Sequence, residues 1–277
     1  MNEISLTGGV PPEHVGKAFG HLASSYDQDF ESLPAARRLR AIVWDVYLRY
    51  FEAGNSLLEL NCGTGTDALA LAGMGMRIHA TDISAGMLDA FRQKLSCSPH
   101  KDLIRIQLLA FDQLSLLHDR AFDGTYSNMG GLNCEPDLRR VAHDLHTLIR
   151  PGGTFIGTFL GHMAIWEMAS FLARGNIRKA FRRRDRTGIP ANVGGSIVRT
   201  YYYSPRSVVQ HFAPHFRVIE TLGLNIFTPP PTSLNAYRRL GKGIRLLERM
   251  DDVLMRTFPF DRIGDHFVIV LKHSGSP

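Results

Sequence analysis

The chain has 277 residues, 44% of them hydrophobic and 21% charged, a composition that can bury a sizeable core and excludes a disordered, collagenous or coiled-coil protein. Its three cysteines (Cys62, Cys97 and Cys134) are an odd number without CxxC spacing, which argues against a disulfide framework or zinc knuckle and for free thiols in a reducing compartment. The net charge of +6 is local: residues 174–186 hold seven basic residues against Asp185 and equal the whole imbalance, and Arg238, Arg239, Lys242, Arg245 and Arg249 form a second basic run. Such fields attract an anionic small molecule, an anionic lipid surface or nucleic acid.

The opening MNEISLTGGVPPEH carries neither a basic n-region nor an apolar h-region, and no stretch approaches the roughly 18 apolar residues of a membrane span, so a cytoplasmic protein is expected. From Val15 to Phe51 apolar residues at helical spacing predict two helices broken near Pro34. A short apolar run at 56–60 then closes on the turn-rich NCGTGT and a helix, giving strand, glycine loop, helix. The alternation continues with strands at 77–82, 104–110, 122–128 and 154–160 and helices at 85–95 and 137–149. This interval predicts a doubly wound α/β fold, a Rossmann-like, mostly parallel sheet of seven strands with helices on both faces and an antiparallel last strand. Residues 1–53 read as a helical cover, 54–160 as the ligand-binding core, 161–203 as an inserted lid, and 204–277 as the completion of the sheet with a second insertion at 225–264.

Gly63, Gly65 and Ala68 satisfy GxGxxG/A where a first parallel strand meets its helix, the place where open α/β sheets bind ligands. Carboxylates decide what kind. Glu59 precedes the loop and Asp67 falls on the first helical turn, so a pyrophosphate would meet negative charge, whereas a ligand with a cationic end would be favoured. Asp82 ends the second strand about 20 residues on, where a carboxylate can accept both ribose hydroxyls. Adenosine joined to a cation is S-adenosylmethionine. The ordered segments LLELNCGTGTDALALA, IHATDISAGML, AFDQL, FDGTYSN and LIRPGGTFIGTFL resemble the class I S-adenosylmethionine-dependent methyltransferases, closest to the type 11 branch typified by ubiquinone and menaquinone methyltransferases.

That resemblance, over roughly residues 15–160, implies that Glu59, Asn61, Gly63 and Gly65 surround the methionine moiety. It implies that Asp82 holds the ribose, Ile83 and Met87 pack on the adenine, and Asp112, ending its strand, accepts from the adenine amino group beside Phe111. Asn128 and Met129 would close the site at the fourth strand, Tyr26 would cover the sulfonium, and Arg40 would meet the cofactor carboxylate. Asn61 departs from the family, which usually has glycine or a small residue there.

In-line methyl transfer asks for orientation, exclusion of water and, where the nucleophile carries a proton, a base. His162, just after the fifth strand, and His266, at the start of the last, are the candidate bases. His143/His146 and His211/His215 have helical ligand spacing but no third ligand cluster, and no metal is expected. Nucleic acid is disfavoured, because Ser127-Asn128-Met129-Gly130 is not the Pro-Pro-aromatic turn of amino-methylating enzymes and no cysteine follows a proline. The lid is expected to wall the acceptor with Trp166, Tyr201 and Tyr203 and to place Arg182 at its rim. The acceptor would be a small molecule, anionic or partly apolar, methylated at O, N or C, with a peripheral contact to an anionic membrane also expected. The alternatives are a non-catalytic S-adenosylmethionine-binding regulator and an NAD(P)-dependent oxidoreductase.

Overall fold

The computed structural model describes residues 11–118 and 121–275, so the first ten residues of the expected N-terminal cover lie outside the described residues. The chain opens with α1 (Pro12–Gly20), α2 (Tyr26–Glu31) and α3 (Pro34–Tyr50). The break at Pro34 is where it was expected, with proline at the start of α3. Ahead of it stand two helices rather than one, because residues 21–25 close as turns through Ser24 and Ser25, residue types that compete with helical hydrogen bonding.

The core follows as β1 (Ser56–Leu60), α4 (Thr66–Gly73), β2 (Arg77–Asp82), α5 (Ala85–Ser96), β3 (Ile104–Leu108), β4 (Phe122–Ser127), α6 (Leu138–Leu148) and β5 (Ile149–Leu160). After it come α7 (Ile165–Leu172), α8 (Ile177–Ala180), β6 (Ile189–Val193), β7 (Ser196–Thr200), α9 (Pro205–Phe212) and β8 (Phe216–Leu224). The chain ends with α10 (Leu234–Leu240), α11 (Ile244–Leu254) and β9 (His266–His273). Seven strands form one sheet in the order β3-β2-β1-β4-β5-β9-β8. The first five are parallel, and β9 runs antiparallel to both β5 and β8. The expected fold class is therefore the observed one. One strand escaped the sequence reading: β6, which pairs with β7 as a separate hairpin, because Pro190 and Asn192 obscure its pattern.

Side chains alternate across each strand, so Leu57 faces a core under α3, α4 and α5 while Leu58 and Leu60 face a second core under α6 and α9. Glu59 shares the face of Leu57, and its carboxyl is thereby driven under α3 rather than into water. The strand order reverses between β1 and β4, opening a crevice at their C-terminal ends. The antiparallel β9 begins at that same edge, since His266 pairs in register with Leu160, the last residue of β5. Helix α1 lies across the start of α5 so closely that a Cβ on Gly16 would stand 2.7 Å from the carbonyl oxygen of Ile83. The β6–β7 tip clasps α1 from above, with Gly194 O 3.3 Å from His21 Nδ1.

Candidate active site

Two cavities open at the crevice. The first, about 380 Å³, is lined by Tyr26, Arg40, Glu59, Asn61, Gly63, Asp82, Ile83, Met87, Phe111, Asp112, Asn128 and Met129, twelve of the thirteen residues expected at the cofactor. Gly65 is the exception. Its backbone is left-handed (φ +78°) and a Cβ there would stand 2.1 Å from the Phe91 ring, so it serves the close approach of the loop to α5 and not the cavity. Asp112 is displaced from the expected strand end: β3 stops at Leu108, and Asp112 sits in a 3-10 turn at 111–116. Its backbone carbonyl accepts from Arg140 Nη2 at 2.6 Å.

The glycine loop is tied at three points. Asp82 accepts from the Gly63 N–H through Oδ2 and from the Ser84 N–H through Oδ1, each at 2.8 Å, so the carboxylate expected at the ribose also fixes the loop. Asp27 of α2 accepts from Thr64 Oγ1 at 2.5 Å and Thr66 Oγ1 at 3.2 Å and pairs with Lys94 Nζ at 2.7 Å, which anchors the helix that carries Tyr26. Asn61 (φ +49°) donates to Asn128 O at 2.9 Å and accepts from Ser127 Oγ at 2.6 Å. Here the departure from the family has a physical role: asparagine tolerates the left-handed backbone while its amide straps the loop to the end of β4.

Charge defines what the cavity suits. Glu59, Asp67, Asp82, Asp112 and Glu135 line it against Arg40 and Arg199, five carboxyls to two guanidinium groups. Asp67, unassigned beforehand, is fully engaged: it accepts from Trp44 Nε1 at 2.8 Å and Asn128 Nδ2 at 2.7 Å, and Arg40 Nε lies 3.4 Å away. Arg40, whose guanidinium also stacks 4.3 Å over the Phe30 ring, therefore faces Asp67 as well as the cavity. Glu59 is 2% exposed and its Oε2 has no hydrogen-bond partner. Burial, then the proximity of Asp67, pushes its carboxyl well above the ordinary range, and burial likewise raises that of Asp82. A buried carboxyl with one oxygen left without a hydrogen bond wants a cation. Glu59 would therefore hold the ammonium of S-adenosylmethionine, Asp82 the ribose, and Ile83 and Met87 the adenine; a pyrophosphate would meet more carboxyls than guanidinium groups here.

The second cavity, about 500 Å³, lies between α2, α7, the turn at 182–184 and the segment 230–233, and is lined by Trp166, Arg182 and His266 among others. Tyr26 and Met129 line both cavities and so form the wall they share. Three expected residues are elsewhere. His162 borders neither cavity; its N–H donates to Tyr203 O at 3.1 Å as the chain leaves β5. Tyr201 lines the first cavity rather than the second, carried there by the β6–β7 hairpin. Tyr203 is core, 6% exposed, its hydroxyl donating to Glu135 O. Sequence periodicity missed Glu167 and Asp265, because the partners that define them are far off in the chain. Of the histidine pairs His143/His146 and His211/His215, the rings of His143 and His146 pack on His215, with His146 Nδ1 2.5 Å from His273 Nε2, and among the described residues no group of three or more His, Cys, Asp or Glu is placed to hold a metal.

Residues 57–153 match a family described as "methyltransferase domain". With the strand order and the antiparallel β9 already seen, the fold is decided. The chain has the class I S-adenosylmethionine-dependent methyltransferase fold. Similar proteins include a demethylmenaquinone methyltransferase of Symbiobacterium thermophilum, 30% identical over 154 residues (52% of this chain, 58% of that one). Among solved structures, the [4+2]-cyclase SpnF superposes with TM-score 0.62 at 14% identity, covering 97% of this chain and 100% of that one. The N-methyltransferase NodS of Bradyrhizobium japonicum, in complex with S-adenosyl-L-homocysteine, gives 0.58 at 12% identity, covering 94% and 98%. The chain spans about three fifths of the curated relatives it matches, 58% and 61% for the first two.

Proposed function

We propose that the chain is a methyltransferase that takes S-adenosylmethionine in the smaller cavity and a small-molecule acceptor in the larger. The observation that carries this is the shared wall: Tyr26 and Met129 touch both cavities, so a methyl carried at the end of the first can be presented to the second. Bound there, S-adenosylmethionine supplies an electrophilic methyl on a sulfonium. Tyr26, held by the α2 anchor at Asp27, shields that position from water, and Asp82 and Glu59 fix the ligand at its two polar ends. The demethylmenaquinone relative supports the branch expected from the sequence, and the carboxyl-rich cavity speaks against the oxidoreductase alternative. Incubation with methyl-labelled S-adenosylmethionine and a metabolite extract should yield S-adenosylhomocysteine and one labelled product; donor binding without any extract-dependent turnover would favour the non-catalytic regulator.

The lid supports a partly apolar acceptor better than an anionic one, because Arg182 and Arg183 are already paired with Glu167. What is left of the basic run faces outward. Arg174, Arg178 and Lys179 are exposed beside Leu172 and Ile177, which are 46% and 65% exposed, a pattern that suits a peripheral contact with an anionic membrane. At about 1 kcal/mol per basic residue near such a surface, replacing all three by alanine should lower co-sedimentation with phosphatidylserine vesicles by roughly 100-fold. Equal binding by the wild type and the triple variant would leave the run as solvated surface.

A further inference from the structure

The polar end of the larger cavity is built around one buried ion cluster. Asp265, 4% exposed, divides its carboxylate: Oδ1 accepts from Arg183 Nη2 at 2.7 Å, while Oδ2 lies 3.0 Å from His266 Nδ1. Arg183, 8% exposed, also donates to Glu167 Oε2 through Nη2 at 2.6 Å and Nε at 3.0 Å, to Gly161 O through Nη1 at 3.1 Å, and stacks 4.7 Å over the Tyr202 ring. Arg182 closes the cluster on Glu167 Oε1 at 2.8 Å. The Asp265 backbone is pinned as well, its carbonyl accepting from the Gly161 N–H at 2.9 Å and its own N–H donating to Asn225 O at 3.2 Å.

This arrangement has one free function. With Nδ1 of His266 3.0 Å from Asp265 Oδ2, a ring protonated at Nδ1 leaves Nε2 as the nitrogen with a lone pair, on a side chain that borders the cavity. Arg182 and Arg183 are balanced by Glu167 and Asp265, so their charge is already met and gives an anionic acceptor no preference at this wall. Burial would raise the Asp265 carboxyl, but His266 and Arg183 outweigh it and hold it well below the usual carboxylate range, so it stays charged. Burial raises the phenol of Tyr26, across the cavity, above its ordinary value, which disfavours it as the base. Most of the remaining wall is apolar, from Phe30, Leu39, Leu160, Trp166 and Phe171, with the hydroxyls of Ser170, Thr232 and Ser233 beside them.

We infer that His266, positioned by Asp265 and through it by Arg183, is the general base for an acceptor bearing an acidic hydroxyl, a phenol or enol, on an apolar body. A neutral amine attacks with a lone pair already in place, whereas a hydroxyl must lose its proton as it attacks. In the step proposed, the acceptor O–H breaks with its proton passing to His266 Nε2. The oxygen pair forms the O–CH3 bond, and the S–CH3 bond of the donor substrate breaks with its pair left on sulfur as the neutral thioether. The imidazolium then releases its proton to solvent.

The inference rests on the proposed placement of donor and acceptor, and the test separates the two. 4-Nitrophenol, whose phenolate is yellow, is titrated into the protein saturated with S-adenosylhomocysteine, the binding of which is measured first by calorimetry. The apparent ionisation midpoint of the bound probe should fall by about one pH unit relative to free probe, a tenfold change. His266→Gln should bind S-adenosylhomocysteine equally and abolish the shift; Asp265→Asn, if folded by circular dichroism, should reduce it, and Asp265→Glu should restore part. Absence of S-adenosylhomocysteine binding would sink the proposed function. With it bound, an unshifted or unbound probe in the wild type, or an equal shift in His266→Gln, would overturn the assignment of His266.

Discussion

Asp82→Ala is expected to weaken binding of both S-adenosylmethionine and S-adenosylhomocysteine by roughly 10- to 100-fold, since each hydrogen bond to a charged group contributes about 1.5–3 kcal/mol. Two losses combine in this substitution. The ribose hydroxyls lose a buried carboxylate acceptor, and the Gly63 N–H loses the 2.8 Å bond that holds the glycine loop in shape. Asp112→Ala, at an exposed position in the same cavity, should cost far less because water replaces what it offers. Calorimetry on the two variants checks this. Similar affinities for wild type and Asp82→Ala would show that the carboxylate does not face the ligand.

Arg183→Ala is expected to destabilise the protein by about 3–5 kcal/mol, because it takes from the buried Asp265 its guanidinium partner and leaves Glu167 with Arg182 alone. Arg182→Ala should cost no more than about 1 kcal/mol, since its side chain is 42% exposed and water can take over. Urea unfolding followed by circular dichroism measures both. The sign with pH follows from Asp265. Its folded carboxyl lies below the ordinary value of 3.8, so the stabilisation is fully present above about pH 4 and is lost as pH falls through the lower folded value. Without Arg183 the burial of Asp265 is less offset and its carboxyl rises, so the gap between wild type and Arg183→Ala should be widest near neutrality and narrow as pH falls. Equal effects of the two arginines would show that the run is surface after all.

What separates these two arginines is also what separates the legible from the illegible in this sequence. The glycine loop, Asp82 and the strand–helix beat are local: each declares itself within about 25 residues, and topology then brings them to one crevice. His266 was legible for a related reason, since an antiparallel last strand must begin at the ligand edge of the sheet. Arg183 was not. Seven basic residues in a row of thirteen read as one field for an anionic partner, and nothing nearby signals that the partners of Arg183 stand 16 and 82 residues away. Tyr201 failed similarly: its neighbours in sequence belong to the lid, but Asn133 O accepts its N–H at 2.7 Å and draws it to the smaller cavity. Gly65 was read as a ligand contact when its φ of +78° and the Phe91 ring explain it. Asp112 was assigned from a strand end that the chain reaches four residues earlier, at Leu108.

The placement of donor and acceptor on either side of Tyr26 and Met129 is tested most directly by a crystal structure of the chain with S-adenosylhomocysteine. The adenine should lie against Ile83 and Met87, the ribose on Asp82 and the ammonium on Glu59, with the sulfur at the shared wall and the larger cavity free for the acceptor. S-adenosylhomocysteine seated in the larger cavity, or reversed so that its sulfur points away from Tyr26, would contradict the proposed function.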